Sequence, residues 1–270
     1  MTCCSADNPG GHPARALLPQ GQSALVVAHP DDEALWLSSA VASTDRVVFC
    51  FGDPYGRPKT AAARRNAVAH LTLPGLVNLA IPESGALHFV DWRQPTLTPY
   101  GVAVTDAAVR ARYEANYVLL VAQMRSALAG VSDVYTHNPW GEYGHPDHIQ
   151  VHRAVAALQA ELGYTAWFTN YAGPDSWQLA RKLAAQPYWT ERRSVAPDRV
   201  LARQLMRIYQ QSGAWTWSRT HRWPRQECLY AMPPDDDPRP RHGFSGEYLL
   251  EVFGAHWWPP FRRTRLRRLE

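Results

Sequence analysis

Short apolar runs alternate with longer segments of helical character in the first part of the chain. Residues 23–28 (SALVVA) are apolar at successive positions, as in a strand buried on both faces of a parallel sheet. Residues 47–51 and 76–81 have the same character, and the intervening residues 34–42 and 60–71 have the length and composition of helices. The pattern predicts the order strand, helix, strand, helix, strand.

The same alternation continues further along the chain. Residues 106–129 and 147–162 predict helices, and Asp133–Thr136 and residues 165–171 predict strands. This order is typical of an α/β domain with a mostly parallel sheet and helices on both faces. Pro and Gly become frequent towards the end of the chain, so we expect an irregular, aromatic-rich C-terminal third with a surface loop at 232–243.

A length of 270 residues is sufficient for one large domain with its own core. We predict a flexible leader at residues 1–22, a single domain at 23–260 and a basic tail at 261–270. The net charge is +4, and the five Arg and one Glu of the last ten residues supply all of it, so the other 260 residues are neutral. Because nucleic-acid binders usually spread basic charge over a face, we expect no nucleic-acid partner.

No apolar stretch approaches the ~20 residues that cross a membrane. The first residues also lack the basic and then apolar order of a secretory signal. We therefore expect a cytoplasmic protein with no membrane partner, and the oligomeric state stays open.

Two polar segments follow predicted strands. One is AHPDDE at residues 28–33, and the other is HNPWGEYGHPDH at residues 137–148. Because the carboxyl ends of parallel strands meet at one edge of a sheet, where ligands bind, we expect these segments to lie together. Their histidines and aspartates are typical ligands of a divalent metal.

His29 and Asp32 are three residues apart across a turn that enters a helix, so both can face one ion. His148 would complete a site of two histidines and one carboxylate with a position open for water, as in catalytic zinc sites. Other divalent metals are possible. Zinc lowers the pKa of its bound water to ~7, and Asp31, which cannot point the same way as Asp32, would then take the proton.

Three residues of the second segment complete the predicted site. Either His145 or Tyr143 could donate a hydrogen bond to the oxyanion that forms at an attacked carbonyl, and Asp147 could orient a histidine. The residues by themselves therefore predict a zinc hydrolase that acts on a carbonyl or phosphoryl group.

AHPDDE followed by GEYGHPDHIQVH resembles the PIG-L/LmbE family of zinc-dependent N-acetylglucosamine de-N-acetylases. The resemblance covers about residues 23–211 and includes RQLMRIYQQS at 203–212. It implies a Rossmann-like fold, zinc on the histidines and Asp32 named above, Asp31 as general base, and His145 and Tyr143 at the carbonyl oxygen. It implies an amidase acting on an N-acetyl sugar.

Two further matches to the family concern substrate binding. Glu83, in IPESG at residues 81–85, stands where family members carry an acid that binds sugar hydroxyls. Arg64 stands where many members begin an Arg-x-x-Glu pattern, but Ala67 replaces the Glu here.

The sugar conjugate is predicted from the aromatic residues, which are dense in the last part of the chain and line clefts for large ligands in many proteins. They are Tyr164, Trp167, Tyr171, Trp177, Tyr188, Trp189, Trp215, Trp217, Trp223, Trp257 and Trp258. With the Arg-rich composition, this resembles the family branch that deacetylates glycopeptide antibiotic pseudoaglycones of the teicoplanin type. We expect a small-molecule glycosylated substrate with a large aromatic aglycone. The alternative is N-acetylglucosaminyl-inositol.

Two other classes of protein compete with this interpretation. Non-haem iron oxygenases use the same two histidines and one carboxylate, but usually on an antiparallel barrel rather than after strands of an α/β pattern. A carbohydrate-binding module could use the aromatic residues, but it would have no need of Asp31, Asp32, His29 and His148.

Overall fold

A computed structural model describes residues 22–244, 246–252 and 265–268 of the chain, the last four by their backbone. Its main sheet has seven strands, numbered here along the chain. In spatial order they are β3 (Val77–Ile81), β2 (Arg46–Phe51), β1 (Ser23–Val27), β6 (Asp133–Thr136), β7 (Thr165–Thr169), β10 (Glu227–Met232) and β9 (Glu191–Val195).

The first five of these strands run parallel to one another, and β10 is antiparallel to both β7 and β9. The chain moves outward from β1 through β2 to β3 and then returns to β6 on the other side of β1. The carboxyl ends of β1 and β6 therefore lie at a topological switch point, where open α/β sheets bind ligands.

Two smaller sheets accompany the main one. Leu97–Thr98 (β4) and Gly101–Val102 (β5) form a hairpin, and Tyr248–Glu251 (β11) lies between Tyr171–Ala172 (β8) and Arg265–Arg268 (β12).

Seven α-helices cover the sheet within the described residues. They are α1 (Asp32–Trp36), α2 (Ser38–Val41), α3 (Pro58–His70), α4 (Ala107–Ala127), α5 (Pro146–Leu162), α6 (Trp177–Ala184) and α7 (Arg199–Ser212).

The helices divide between the two faces of the sheet. Ala24 and Val26 of β1 belong to a core cluster with residues of α4, α5 and α6, whereas Leu25 and Val27 belong to a second cluster with residues of α1, α2, α3 and α7. Both faces of β1 are thus buried, which explains why its sequence is continuously apolar. The α/β fold with a mostly parallel sheet is confirmed.

The structure differs from the predicted elements at two points. Leu37 has φ −138° and ψ 25°, outside the helical region, and divides the predicted helix 34–42 into α1 and α2. Trp36 and Leu37, at this break, are both fully buried. The predicted strand 165–171 ends at Thr169 because the chain leaves the main sheet at Asn170 and pairs with β11 through β8.

The predicted domain boundaries fall partly outside the described residues. This applies to the leader up to residue 21 and to residues 261–264 and 269–270 of the basic tail. Within the predicted basic tail, Arg265–Arg268 is a strand whose backbone pairs with Tyr248–Glu251. Main-chain pairing at a sheet edge uses peptide groups and does not depend on side-chain charge. Among the described helices, none combines the length and apolar character needed to cross a bilayer.

A buried carboxyl group joins α2 to the sheet. Glu227 of β10 accepts hydrogen bonds from Ser39 Oγ, at 2.7 Å from its Oε2, and from the Tyr171 hydroxyl. Burial disfavours the charged carboxylate more than the two hydroxyls favour it, so the pKa of Glu227 is raised from 4.5 to about 7.

This pKa predicts a pH-dependent stability. Between pH 4.5 and about pH 7 the folded chain holds the Glu227 proton and the unfolded chain does not. The stability that this protonated carboxyl group contributes is therefore lost as the pH rises through that window. In Glu227→Gln, which stays neutral, the free energy of unfolding relative to wild type should rise by roughly 1–3 kcal/mol between about pH 5 and about pH 8. Urea unfolding at both pH values measures this difference, and a difference independent of pH would contradict the prediction.

Candidate active site

The two polar segments meet at one edge of the sheet, as expected. Because β1 and β6 are parallel neighbours, the loop after Val27 and the loop after Thr136 leave the sheet side by side. His137 fixes the contact, since its Nε2 accepts a hydrogen bond from the backbone N–H of Ala28 at 2.8 Å.

The carboxylate of Asp32 lies at the centre of the site. Its Oδ2 is 3.2 Å from Nδ1 of His29, 3.3 Å from Nε2 of His148 and 3.5 Å from Nε2 of His137. The indole N–H of Trp36 donates to Oδ1 at 3.1 Å. Burial alone would raise the pKa of Asp32, but the surrounding histidines outweigh it and hold that pKa well below its usual value.

Three overlapping sets of side chains each bring one possible ligand atom per residue to within 4.8 Å of one another. They are His29 with His145 and His148, Asp32 with His137 and His148, and His29 with Glu83 and Asp147. Several nitrogens could therefore face an ion, and the hydrogen bonds decide which of them are free to do so.

Two of the histidines have no ring nitrogen with a free lone pair for a metal. His137 Nε2 accepts from Ala28, and His145 Nδ1 accepts from the backbone N–H of Asp147 at 3.2 Å, which leaves the His145 proton on Nε2. By contrast, Nε2 of His148 is buried and makes no hydrogen bond within the described residues. The donor set of His29, Asp32 and His148 fits a catalytic zinc ion, and as a ligand set it remains a prediction.

Carboxylates behind the histidines fix their orientation. Glu142 Oε2 accepts from His148 Nδ1 at 2.7 Å and from His137 Nδ1 at 3.0 Å, and Asp147 Oδ2 lies 3.2 Å from His29 Nε2. Burial would raise the pKa of Glu142, but the two imidazoles lower it to about 2. Carboxylates in this position set the tautomer of a metal-binding histidine and make it a better ligand.

The sequence pattern predicts that Asp147 orients a histidine, but it does not predict the roles of Glu142 and His137. Glu142 reaches the rings through a turn with φ 69° at Gly141 and φ 48° at Glu142 itself. A Cβ atom at Gly141 would come within 2.6 Å of the His145 carbonyl oxygen, so the turn requires glycine. The sequence carries the Gly-Glu pair, but no spacing rule shows which rings its carboxylate reaches.

Asp31 lies beside this cluster with a different set of contacts. It adopts φ 121°, and its Oδ2 accepts a hydrogen bond from Thr216 Oγ1 at 3.0 Å. It forms no ion pair with a histidine in the described part of the chain. Burial, together with the negative charge of Asp32, raises the pKa of Asp31 to about 7.

His145 and Tyr143 are neutral hydrogen-bond donors at the same edge. Burial and the adjacent His29 and His148 hold the pKa of His145 well below its usual value, and burial raises the pKa of Tyr143 well above its usual value. The two rings are 5.8 Å apart between centroids. His145 is also the residue that precedes and caps α5.

Glu83 and Arg64 border the site on the side of β3. Glu83 Oε1 is 3.5 Å from Nε2 of His29 and forms an ion pair with Nη1 of Arg64, which also lies 3.4 Å from the carbonyl oxygen of Gly52. The structure thus brings both residues next to His29 and pairs them with each other. Their role in substrate binding remains a prediction.

Most of the late aromatic residues pack in the core rather than at the site. Tyr164, Trp167, Tyr171 and Trp223 are buried, and Trp257 and Trp258 lie outside the described residues. Among the described late aromatic residues, Trp217 reaches the site, since its ring lies 4.9 Å from Tyr143 and 5.1 Å from Trp36 between centroids.

Known proteins are similar to this chain in sequence and in fold. A 1D-myo-inositol 2-acetamido-2-deoxy-α-D-glucopyranoside deacetylase from Rhodococcus opacus is 30% identical over 200 residues, which cover 66% of this chain and 64% of the relative. The protein of the same name from Mycolicibacterium smegmatis is 31% identical over 161 residues, or 52% of this chain and 55% of the relative. The chain is thus similar in sequence to deacetylases of the PIG-L/LmbE family.

No family model matches the sequence. The chain spans just over half to just under two thirds of the length of these two PIG-L/LmbE relatives. Among solved structures, a deacetylase in complex with teicoplanin has a TM-score of 0.52 at 13% identity, and a zinc-inhibited teicoplanin deacetylase has a TM-score of 0.53 at 14% identity. Each covers 80% of this chain and all of its own, and at these identities the similarity concerns the fold.

The contacts around Asp32 predict a graded loss of zinc in this chain. Asp32→Ala removes one of the three predicted ligands, so the purified variant should lose most of its zinc. Glu142→Gln leaves the ligands in place but removes the charge behind His148, so the zinc dissociation constant should rise about 10- to 100-fold. Metal analysis and competition with a chelator measure the two effects.

Glu161→Gln is the matched control, because Glu161 lies on the exposed last turn of α5 and pairs with Arg125 at 2.6 Å. Its zinc affinity should equal that of wild type. Full zinc occupancy in Asp32→Ala would rule out the assigned ligand set.

Proposed function

We propose that this chain removes the acetyl group from an N-acetylglucosaminyl conjugate with the help of a bound zinc ion. The observation that carries the proposal is the division between two adjacent carboxylates. Asp32 lies among imidazole nitrogens, whereas Asp31 pairs with a hydroxyl and with no histidine in the described residues. A zinc hydrolase needs both kinds of carboxylate, one that holds the metal and one that takes a proton.

The similar proteins support the substrate class. The curated relatives are named as deacetylases of an acetamido sugar linked to inositol, and the fold neighbours are deacetylases of the teicoplanin pathway. Both groups are deacetylases, which agrees with a site built to hydrolyse an amide.

When bound, zinc supplies Lewis acidity, which polarises a carbonyl group and allows water to attack near neutral pH. Asp31 accepts a proton from the water as the water oxygen bonds to the acetyl carbon. The proton then passes to the sugar nitrogen as the carbon–nitrogen bond breaks. The products are acetic acid and the free amine.

His145 and Tyr143 act at the carbonyl oxygen. Because His145 Nδ1 accepts the Asp147 N–H, its Nε2–H is the group that can donate to the oxygen as negative charge develops there. The Tyr143 hydroxyl stays protonated and is the second candidate donor. Both groups are present before the reaction, so they stabilise the charge without reorganisation.

Asp31→Asn tests the assignment of the base. The amide keeps the size of the side chain but cannot accept a proton, so kcat for acetate release from an N-acetylglucosamine conjugate should fall about 10²- to 10⁴-fold. Zinc content should stay at the wild-type level. If the variant instead lost its zinc and recovered activity on reconstitution, Asp31 would be a ligand and the two aspartates would exchange roles.

We propose further that the substrate carries a large aromatic aglycone. Support comes from two half-buried tryptophans that contact the 141–145 loop. Trp217 packs on Tyr143, and a Cβ atom at Gly144 would lie 3.3 Å from Cζ2 of Trp92. Such rings offer flat apolar surface to an extended ligand next to the reacting amide.

The prediction is that an N-acetylglucosaminyl glycopeptide is deacetylated with a kcat/KM at least ~10²-fold above that of free N-acetylglucosamine or its inositol conjugate, about 2.7 kcal/mol of transition-state binding. Trp217→Ala should lower kcat/KM for the glycopeptide and leave that for the inositol conjugate near wild type. Release of free amine from each substrate is the measurement. Equal rates, or a preference for the inositol conjugate, would contradict the proposal of a large aromatic aglycone and leave the deacetylase chemistry intact.

A further inference from the structure

The end of α7 and the loop after it contact the turn that carries Asp31. The Tyr209 hydroxyl donates to Glu33 Oε1 at 2.7 Å, and Thr216 Oγ1 donates to Asp31 Oδ2 at 3.0 Å. These partners are 176 and 185 residues apart in sequence. Both contacts are made to the same short stretch of chain, so α7 and the loop after it hold the turn at two points.

The backbone of Asp31 is strained and well fixed. A φ of 121° is rarely adopted by a residue with a side chain, so the surroundings must hold it. The Asp31 N–H donates to Glu33 Oε2 at 3.1 Å, and its carbonyl oxygen accepts from the N–H groups of Ala34 and Leu35, each at 3.1 Å. Since Tyr209 holds Glu33, these contacts fix where the Asp31 side chain begins.

The carboxylate itself has one hydrogen-bond partner within the described residues, the hydroxyl of Thr216. Asp31 is 3% exposed, whereas its partner Thr216 is an exposed residue. One oxygen of Asp31 is therefore held from the solvent side. In the described part of the chain the other oxygen accepts no hydrogen bond and is free to meet water.

Thr216 is placed by anchors on both sides of it. α7 is capped by Gly213, whose φ of 75° favours glycine, and the N–H groups of Ala214 and Trp215 both donate to the Tyr209 carbonyl oxygen at 2.8 and 3.1 Å. After Thr216, the Trp217 ring packs against Trp36 and Tyr143. A hydroxyl held in this way is a donor of fixed position.

We propose that Thr216 is a positioning residue for Asp31. It fixes one carboxylate oxygen, so that the other meets the attacking water in one orientation. The expected fall in kcat rests on the proposed function. The expected orientation of the Asp31 carboxylate rests only on its hydrogen bond with Thr216.

Thr216→Val, which keeps the shape of the side chain and removes its hydroxyl, is the test. Its kcat for acetate release should fall about 10-fold or more, because a hydrogen bond to a charged group is lost, while KM and zinc content stay at wild-type values. Thr216→Ser should restore kcat to within about 3-fold of wild type, since the hydroxyl returns. In an Asp31→Asn background, Thr216→Val should cause no additional loss, because its effect passes through Asp31.

Thr220→Val is the matched control. Thr220 lies on the same loop, and its hydroxyl is 3.0 Å from Ser218 Oγ. Wild-type kcat in Thr216→Val, or a Ser variant as slow as the Val variant, would overturn the proposal. So would a rise in KM at constant kcat, which would put Thr216 against the substrate, or a further loss in the Asp31→Asn background.

Crystal structures of wild type and Thr216→Val separate this proposal from the proposed function. The Asp31 carboxylate should contact the Thr216 hydroxyl in wild type and turn away from position 216 in the variant. If wild type releases no acetate from any N-acetylglucosamine conjugate, the proposed function fails, and the crystal structures still decide the role of Thr216. An Asp31 side chain in the same orientation in both structures would overturn the proposed positioning role of Thr216.

Discussion

The parallel pairing of β1 with β6 brings together two loops that are more than a hundred residues apart in sequence, and every later feature of the site depends on it. The register sets Val26 opposite Thr136, so both strands end at the same level of the sheet. The hydrogen bond from the Ala28 N–H to His137 then joins the two loops directly. A shift of register would separate Asp32 from His148 and leave buried charges without partners, which is costly.

Charge is concentrated at this edge to a degree that a protein interior seldom tolerates. His29, His148 and Asp32 are all buried, and each lies within 3.3 Å of an opposite partner in the same group. The outer carboxylates of Glu142 and Asp147 balance the imidazoles from behind. Such an arrangement is stable when each charge has a partner with good geometry, and it has the composition that a divalent cation prefers.

The site is also held from the opposite face of the sheet. α7 packs against α1 and α3. Tyr209 of α7 and Thr216 of the loop after it contact the turn that contains both Asp31 and Asp32. The Asp32 side of that turn faces the loop after β6, and the Asp31 side faces the loop after α7. Two adjacent aspartates thereby acquire different surroundings, which is how enzymes give identical carboxyl groups different roles.

The sequence by itself determined the alternation of strands and helices, the continuous burial of β1, and the two strand-end motifs that carry His29, Asp31, Asp32, His145 and His148. These features depend on local periodicity and on the order of residues within single loops, and both can be read along the chain. The tertiary structure decided which distant groups complete the site. Glu142 reaches two histidines through a left-handed turn, and Thr216 reaches Asp31 from the other end of the chain.

The aromatic residues illustrate the same limit. Their density after Tyr164 predicted a cleft, but most of them fill the core, and Trp217 reaches Tyr143 because of the turn at Gly213. Composition and spacing report which side chains are available, whereas long-range register and backbone turns with positive φ decide which of them touch. That second kind of information depends on contacts between residues far apart in sequence and so becomes visible only in the folded chain.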